Sequence, residues 1–180
     1  AEAYSSFIEP IQSALNTVST GRLLLARRSS GIVPGEPLDI ALNAGDPAPL
    51  RLSDSGQLFL RFSVRVRIEE LDFGRYHYQC RQIAYWHTIS DAEFREIVAF
   101  HWSSTLGGHE RPFPHLHVGP LIASQSAFVP GRAHKLHLPT SQLSAQQIIR
   151  FAIEELGVRV RPGSDRSAVL AELNRVIGDA

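Results

Sequence analysis

The residues best suited to chemistry in this chain are its histidines. There are eight, and all fall between positions 77 and 137: His77, His87, His101, His109, His115, His117, His134 and His137. At the centre is Pro112-Phe113-Pro114-His115-Leu116-His117-Val118-Gly119. Side chains of a strand alternate between its two faces, so the spacing predicts His115 and His117 side by side on one face. Two such imidazoles can bind a metal, share a proton or grip a phosphate.

Each of these chemistries needs further groups. A metal site needs a third ligand, and zinc keeps an open position when it is catalytic. His101, His109, Glu110 or His137 could complete the set. Neither a His-Glu-x-x-His helix nor a Cys-x-x-Cys pair is present, so the metal reading rests on spacing alone. Metal-free cleavage of a phosphodiester needs an acid, a base and positive charge for the developing phosphorane. His115 and His117 could serve with Arg111 and with Arg61, Arg65 and Arg67, and Tyr76 and Tyr78 could add hydroxyls or stacking. The plain alternative is that the imidazoles are hydrogen-bonded packing elements and the arginines a solvated face.

Two histidine motifs do not fit. In His115-Leu116-His117-Val118 the next alternating position is Gly119, where the histidine-triad nucleotide hydrolases carry a third histidine. His137-Leu138-Pro139-Thr140 has one residue too many for the His-x-Thr motif of the two-histidine phosphoesterases. A third pattern fits better. Paired tyrosines (Tyr76, Tyr78), then Phe100-His101-Trp102, then Phe113-Pro114-His115-Leu116-His117 resemble the TumE-type toxins of bacterial toxin–antitoxin pairs. The resemblance covers residues 75–120. It implies an intracellular bacterial protein that acts on RNA and is neutralised by an antitoxin partner.

The elements that must hold these residues are legible in part. Phe7, Ile8, Ile11, Leu15 and Val18 keep helical spacing, with Ser6 and Glu9 as a capping box and Pro10 in the first turns. Residues 29–50 are rich in Gly, Pro, Asp and Asn and read as an irregular connection with a short strand near 38–42. Leu58, Leu60, Phe62, Val64, Val66 and Ile68 alternate with Phe59, Arg61, Ser63, Arg65 and Arg67, a period-two strand with one face on the core. Asp72-Phe73-Gly74 turns the chain into a second strand, whose alternation blurs at Gln82-Ile83 and suggests a bulge.

Residues 93–102 fit a third strand or, with Phe94, Ile97, Val98 and His101 on one side and Ser90 and Glu93 as a cap, a helix; the aromatic residues crowding its end favour the strand. Residues 103–111 form a loop, His115–His117 a short strand, and 121–129 and 132–138 further extended pieces. Ser144 and Gln147 form a capping box for a helix carrying Ile148, Phe151, Ala152 and Leu156, which stops at Gly157. A last helix follows Pro162-Gly163, with Val169, Leu170, Leu173, Val176 and Ile177 on one face.

Composition bounds the rest. A chain of 180 residues that is 43% hydrophobic suits one folded domain with a sizeable core. No run approaches a membrane span. The start, Ala1-Glu2-Ala3-Tyr4, lacks the pattern of a secretory signal, and one cysteine forms no internal disulfide. A cytoplasmic location is the simplest expectation. Lys135 is the sole lysine beside 17 arginines. A bias that runs through the whole chain points to codon usage before function. A formal net charge of zero argues against a large nonspecific nucleic-acid surface.

The fold expected is α+β, a single domain over residues 1–180. A mostly antiparallel sheet carries an N-terminal helix and two C-terminal helices packed on one face. The function expected is a TumE-like, RNA-cleaving toxin with His115, His117 and His101 as catalytic residues. Arg61, Arg65, Arg67, Arg111, Tyr76 and Tyr78 would bind substrate, with RNA and an antitoxin as partners. The alternatives are a metal-dependent or nucleotide-directed hydrolase and a non-catalytic binding protein with structural histidines. No cofactor is required by the sequence, and a divalent metal fits.

Overall fold

The computed structural model describes residues 2–25, 33–72, 77–104, 113–119 and 137–178. Helix α1 (Glu2–Asn16) is followed by strands β1 (Leu23–Leu25), β2 (Pro37–Leu42), β3 (Ala48–Arg51), β4 (Gln57–Asp72), β5 (His77–Ser90), β6 (Glu96–Ser103), β7 (His115–Val118) and β8 (His137–Pro139). Helices α2 (Ala145–Glu154) and α3 (Arg166–Gly178) complete the order. This is the α+β architecture the sequence predicts. The strands form one antiparallel sheet in the order β1-β2-β4-β5-β6-β7-β8, and β3 also pairs with β4.

The long hairpin β4–β5 is the frame. On β4, Leu58, Leu60, Phe62, Val64, Val66 and Ile68 are all buried, as period-two alternation requires. Each such side chain, fully buried, stabilises the fold by about 1.5–3 kcal/mol. All of them but Ile68 share one core with Ile11 and Leu15 of α1, Ile148, Ile149, Ala152 and Ile153 of α2, and Leu173 of α3. Helices α1 and α2 therefore cover the face of the sheet that carries Leu60 and Phe62, and α3 packs against α2. Phe151, Leu156 and Leu170, from the apolar faces expected for the two C-terminal helices, are only partly buried against this core.

A bulge in β5 decides which residues share that face. Arg65 pairs with Ala84 but Val66 pairs with Gln82, so Ile83 is the extra residue. Even-numbered β5 residues oppose the buried side of β4 before it (Ile68 with Cys80), and odd-numbered ones after it (Val64 with Tyr85, Phe62 with His87). His87 therefore faces the helices, stacked on Phe62 and Tyr85 with ring centroids 4.0 Å and 5.0 Å away.

Several local expectations change. Helix α1 starts at Glu2, so Ser6 is not its cap; its Oγ donates to the Glu2 carbonyl at 3.0 Å. Pro10 consequently lies within the helix, beyond the first turn. In the stretch read as irregular, the short strand expected near 38–42 is β2, and a 3-10 turn at Asn43–Gly45 and strand β3 follow it, while residues 29–32 lie outside the described residues. The capping box of α2 forms as predicted. Ser144 Oγ accepts from Gln147 N at 3.3 Å and Gln147 Oε1 from Ser144 N at 2.8 Å. Gly157 beyond its end has φ of 69°, the left-handed conformation that glycine adopts without strain. The Asp72–Gly74 turn past Asp72, the 105–111 loop, the 121–129 segment and residues 132–136 lie outside the described residues.

Candidate metal centre

Strands β6 and β7 pair antiparallel with His101 opposite His115, and Ala99 opposite His117. Directly opposed residues put their side chains on the same face. His117, two residues from His115, joins that face, and it lies diagonal to His101. The intervening Phe100 and Leu116 turn to the core side. The three imidazoles thus gather on the face opposite the helices, and pairing rather than a local motif brings them together.

Their geometry is close. Ring centroids are 4.8 Å apart for His101 and His117, 5.0 Å for His115 and His117, and 5.9 Å for His101 and His115. One ring nitrogen from each residue can be chosen so that all three lie within 4.8 Å of one another. Three imidazoles on tetrahedral zinc, at about 2.0–2.1 Å each, have nitrogens roughly 3.3 Å apart. His115 is buried, and His101 and His117 are half-buried.

His115 is also oriented. Its Nδ1 lies 2.8 Å from the Phe113 carbonyl oxygen. A carbonyl only accepts, so Nδ1 carries the proton and Nε2 of the neutral ring keeps its lone pair. Metal-binding histidines are commonly fixed in this way, with the second nitrogen held by a carbonyl or carboxylate. The Phe113 ring packs edge-on to His115 at 5.8 Å. Gly119 ends the strand with its N–H donating to the Ile97 carbonyl at 2.8 Å. A Cβ there would overlap the Glu96 carbonyl oxygen, so only glycine lets β7 approach β6 this closely.

The other expected site residues are not brought to the trio. Arg61 is exposed on β4 and shares a row with Thr88, Ala99 and His117. That places it three strand spacings, roughly 14 Å, from His117. Arg65 is engaged elsewhere: its guanidinium donates to both Asp39 oxygens at 2.6 and 3.0 Å and stacks over Trp86 at 5.4 Å. Arg67 has Glu69 at 4.0 Å, and its partner Arg81 lies five residues along β5 from Trp86. Tyr78 pairs with Glu70 near the far end of the hairpin, roughly 25 Å along β5 from Trp86, which faces His101. The arginine stripe is a real feature of one sheet face, but the register separates it from the histidines. Arg111, Tyr76, His109, Glu110 and His134 lie outside the described residues. His137 occupies the register position opposite His117.

Two further groups bear on the chemistry. His87 sits on the other side of the sheet, and its pKa is lowered to about 3. Burial is the main cause, followed by the charge of His101, while a backbone hydrogen bond with Trp86 works the other way. It is a neutral packing residue. Burial pushes the Cys80 thiol up to about 11, so it is no thiolate nucleophile at neutral pH. The Phe113 carbonyl and Gly119 are the parts of the site that sequence reasoning missed as contributors. The flanking Pro114 and Gly119 were the only local sign of a constrained segment.

No helix among the described residues is long and apolar enough to cross a membrane. No family model, no curated protein and no solved structure matches the chain.

Proposed function

We propose that the protein is a metal-dependent hydrolase whose metal is held by His101, His115 and His117. One observation carries this reading: three imidazoles from two paired strands present ring nitrogens within 4.8 Å of one another on one sheet face. All-nitrogen ligation by neutral imidazoles suits zinc and its late first-row neighbours, rather than magnesium or calcium, which prefer oxygen. A metal held by these three imidazoles would activate water at neutral pH and would supply positive charge beside the scissile bond. The register supports this over metal-free phosphoryl chemistry, because Arg61 and Arg65 stand on β4, two strands from His101 and three from His115 and His117.

The test is metal content followed by activity. Purified protein should carry close to one equivalent of zinc or a related metal by elemental analysis, and His115→Ala and His117→Ala should each lose it. The loaded wild type should hydrolyse an activated phosphodiester or ester, and chelation should stop it. Metal-free protein that refuses added zinc, cobalt and manganese would overturn the reading.

A second reading keeps the toxin resemblance. Of the residues that carry it, Tyr78, Phe100, His101, His115 and His117 stand on the consecutive strands β5, β6 and β7. On this reading two imidazoles act as acid and base on RNA without metal. Expression of the wild type alone in a bacterial host should then arrest growth, and RNA cleavage should survive chelation.

A further inference from the structure

A second constellation lies on elements that carry none of the three histidines. After α2 the chain returns along the sheet edge, and Val158 bridges Leu52 antiparallel. Arg159 is then the residue opposite Arg51, and its N–H donates to the Arg51 carbonyl at 2.7 Å. Directly opposed residues carry side chains on one face about 5 Å apart, and like charges there destabilise the pair. Arg161, two residues on, returns to the same side of this extended segment. The three arginines line a cavity of about 310 Å³ with Ser19, Thr20 and Gln57, and no aspartate or glutamate lines it.

None of the three makes an ion pair among the described residues. Arg161 Nη1 makes a long bond of 3.4 Å to the Asn16 carbonyl at the end of α1, which leaves most of its donors unused. Several other arginines find carboxylates, Arg65 with Asp39, Arg81 with Glu69, Arg95 with Asp91, Arg150 with Glu154, and Arg175 with Glu172, while Arg22, Arg61 and Arg166 make no ion pair among the described residues. Arginine in place of lysine means little in this chain. The opposed pair without a carboxylate is what needs a reason, and an anion supplies one.

We propose that this cavity binds a small phosphate-bearing molecule, with Arg51, Arg159 and Arg161 as its ligands. Guanidinium forks match phosphate oxygens two at a time, and the Ser19 and Thr20 hydroxyls add uncharged partners. The volume falls at the small end of ligand cavities, which suits one or two phosphates on a small body better than a polymer. The site is independent of the metal centre and of the activity proposed for it.

Calorimetric titration of the full chain with pyrophosphate at fixed ionic strength tests it. Wild type should show saturable one-site binding, and Arg51→Gln and Arg159→Gln should each weaken it by about tenfold or more, the loss of one charge-assisted contact. His115→Ala/His117→Ala should bind as wild type does. Relief of the opposed charges should leave the unliganded thermal midpoint of each arginine variant unchanged or raised. The proposal is overturned by no saturable binding up to about 10 mM, a dissociation constant too weak to matter. It is equally overturned if the arginine variants keep wild-type affinity, if the histidine variant alone loses binding, or if both arginine variants unfold at lower temperature.

Discussion

His87→Phe separates the packing role of a buried imidazole from its titration. The ring is 1% exposed and stacks between Phe62 and Tyr85. Its Nδ1 has no hydrogen-bond partner among the described residues. Its pKa falls from 6.5 to about 3 on folding, chiefly through burial. A lowered histidine pKa means that the unfolded chain binds the proton more tightly than the fold does. The stabilisation is therefore complete above the unfolded value of about 6.5 and is lost as the pH falls towards the folded value of about 3. Between pH 7 and pH 5 this one group should remove about 2 kcal/mol of stability, at ~1.4 kcal/mol per pH unit of unpaired protonation. Phenylalanine keeps an aromatic ring in the stack and cannot titrate. At pH 7 the variant should match wild type to within about 1.5 kcal/mol, the usual range for a near-isosteric core exchange. Urea denaturation at both pH values gives four free energies, and their double difference isolates His87 from the exposed histidines common to both proteins. A double difference near zero would refute the burial argument, since it would mean that His87 titrates as it does in the unfolded chain.

Gly119→Ala should force β7 away from β6 and weaken zinc binding by about tenfold or more while leaving all three histidines in place; equilibrium dialysis against a zinc indicator reads this. Phe62→Ala, at a site 2% exposed in the centre of the core, should cost about 3–5 kcal/mol in chemical denaturation. Ser144→Ala removes half of the α2 capping box and should cost about 1 kcal/mol in the same assay. Arg65→Ala breaks a half-exposed ion pair with Asp39, so its stability cost should stay below about 1 kcal/mol. Metal content should be unchanged, because the register keeps Arg65 away from the trio.

Local patterns were sufficient for features that one segment settles by itself. The alternation from Leu58 to Ile68 fixes which side of β4 is buried, because a strand has only two faces. Ser144 and Gln147 mark the start of α2, because a capping box uses residues three apart. The His-Leu-His spacing places His115 and His117 on one face for the same reason, and Gln82-Ile83 marks the bulge. None of these patterns says which strand lies beside which, or in what register. Pairing joined His101 to His115 across β6 and β7, set the arginines of β4 two and three strands from the histidines, and brought Arg51 opposite Arg159 from more than a hundred residues away. The single extra residue at Ile83 reversed the parity of β5 and sent His87 into the core, away from the face shared by the other three. Side-chain direction follows from local alternation. Convergence of side chains follows from pairings that bury the most apolar surface over the whole chain, and those energies are non-local.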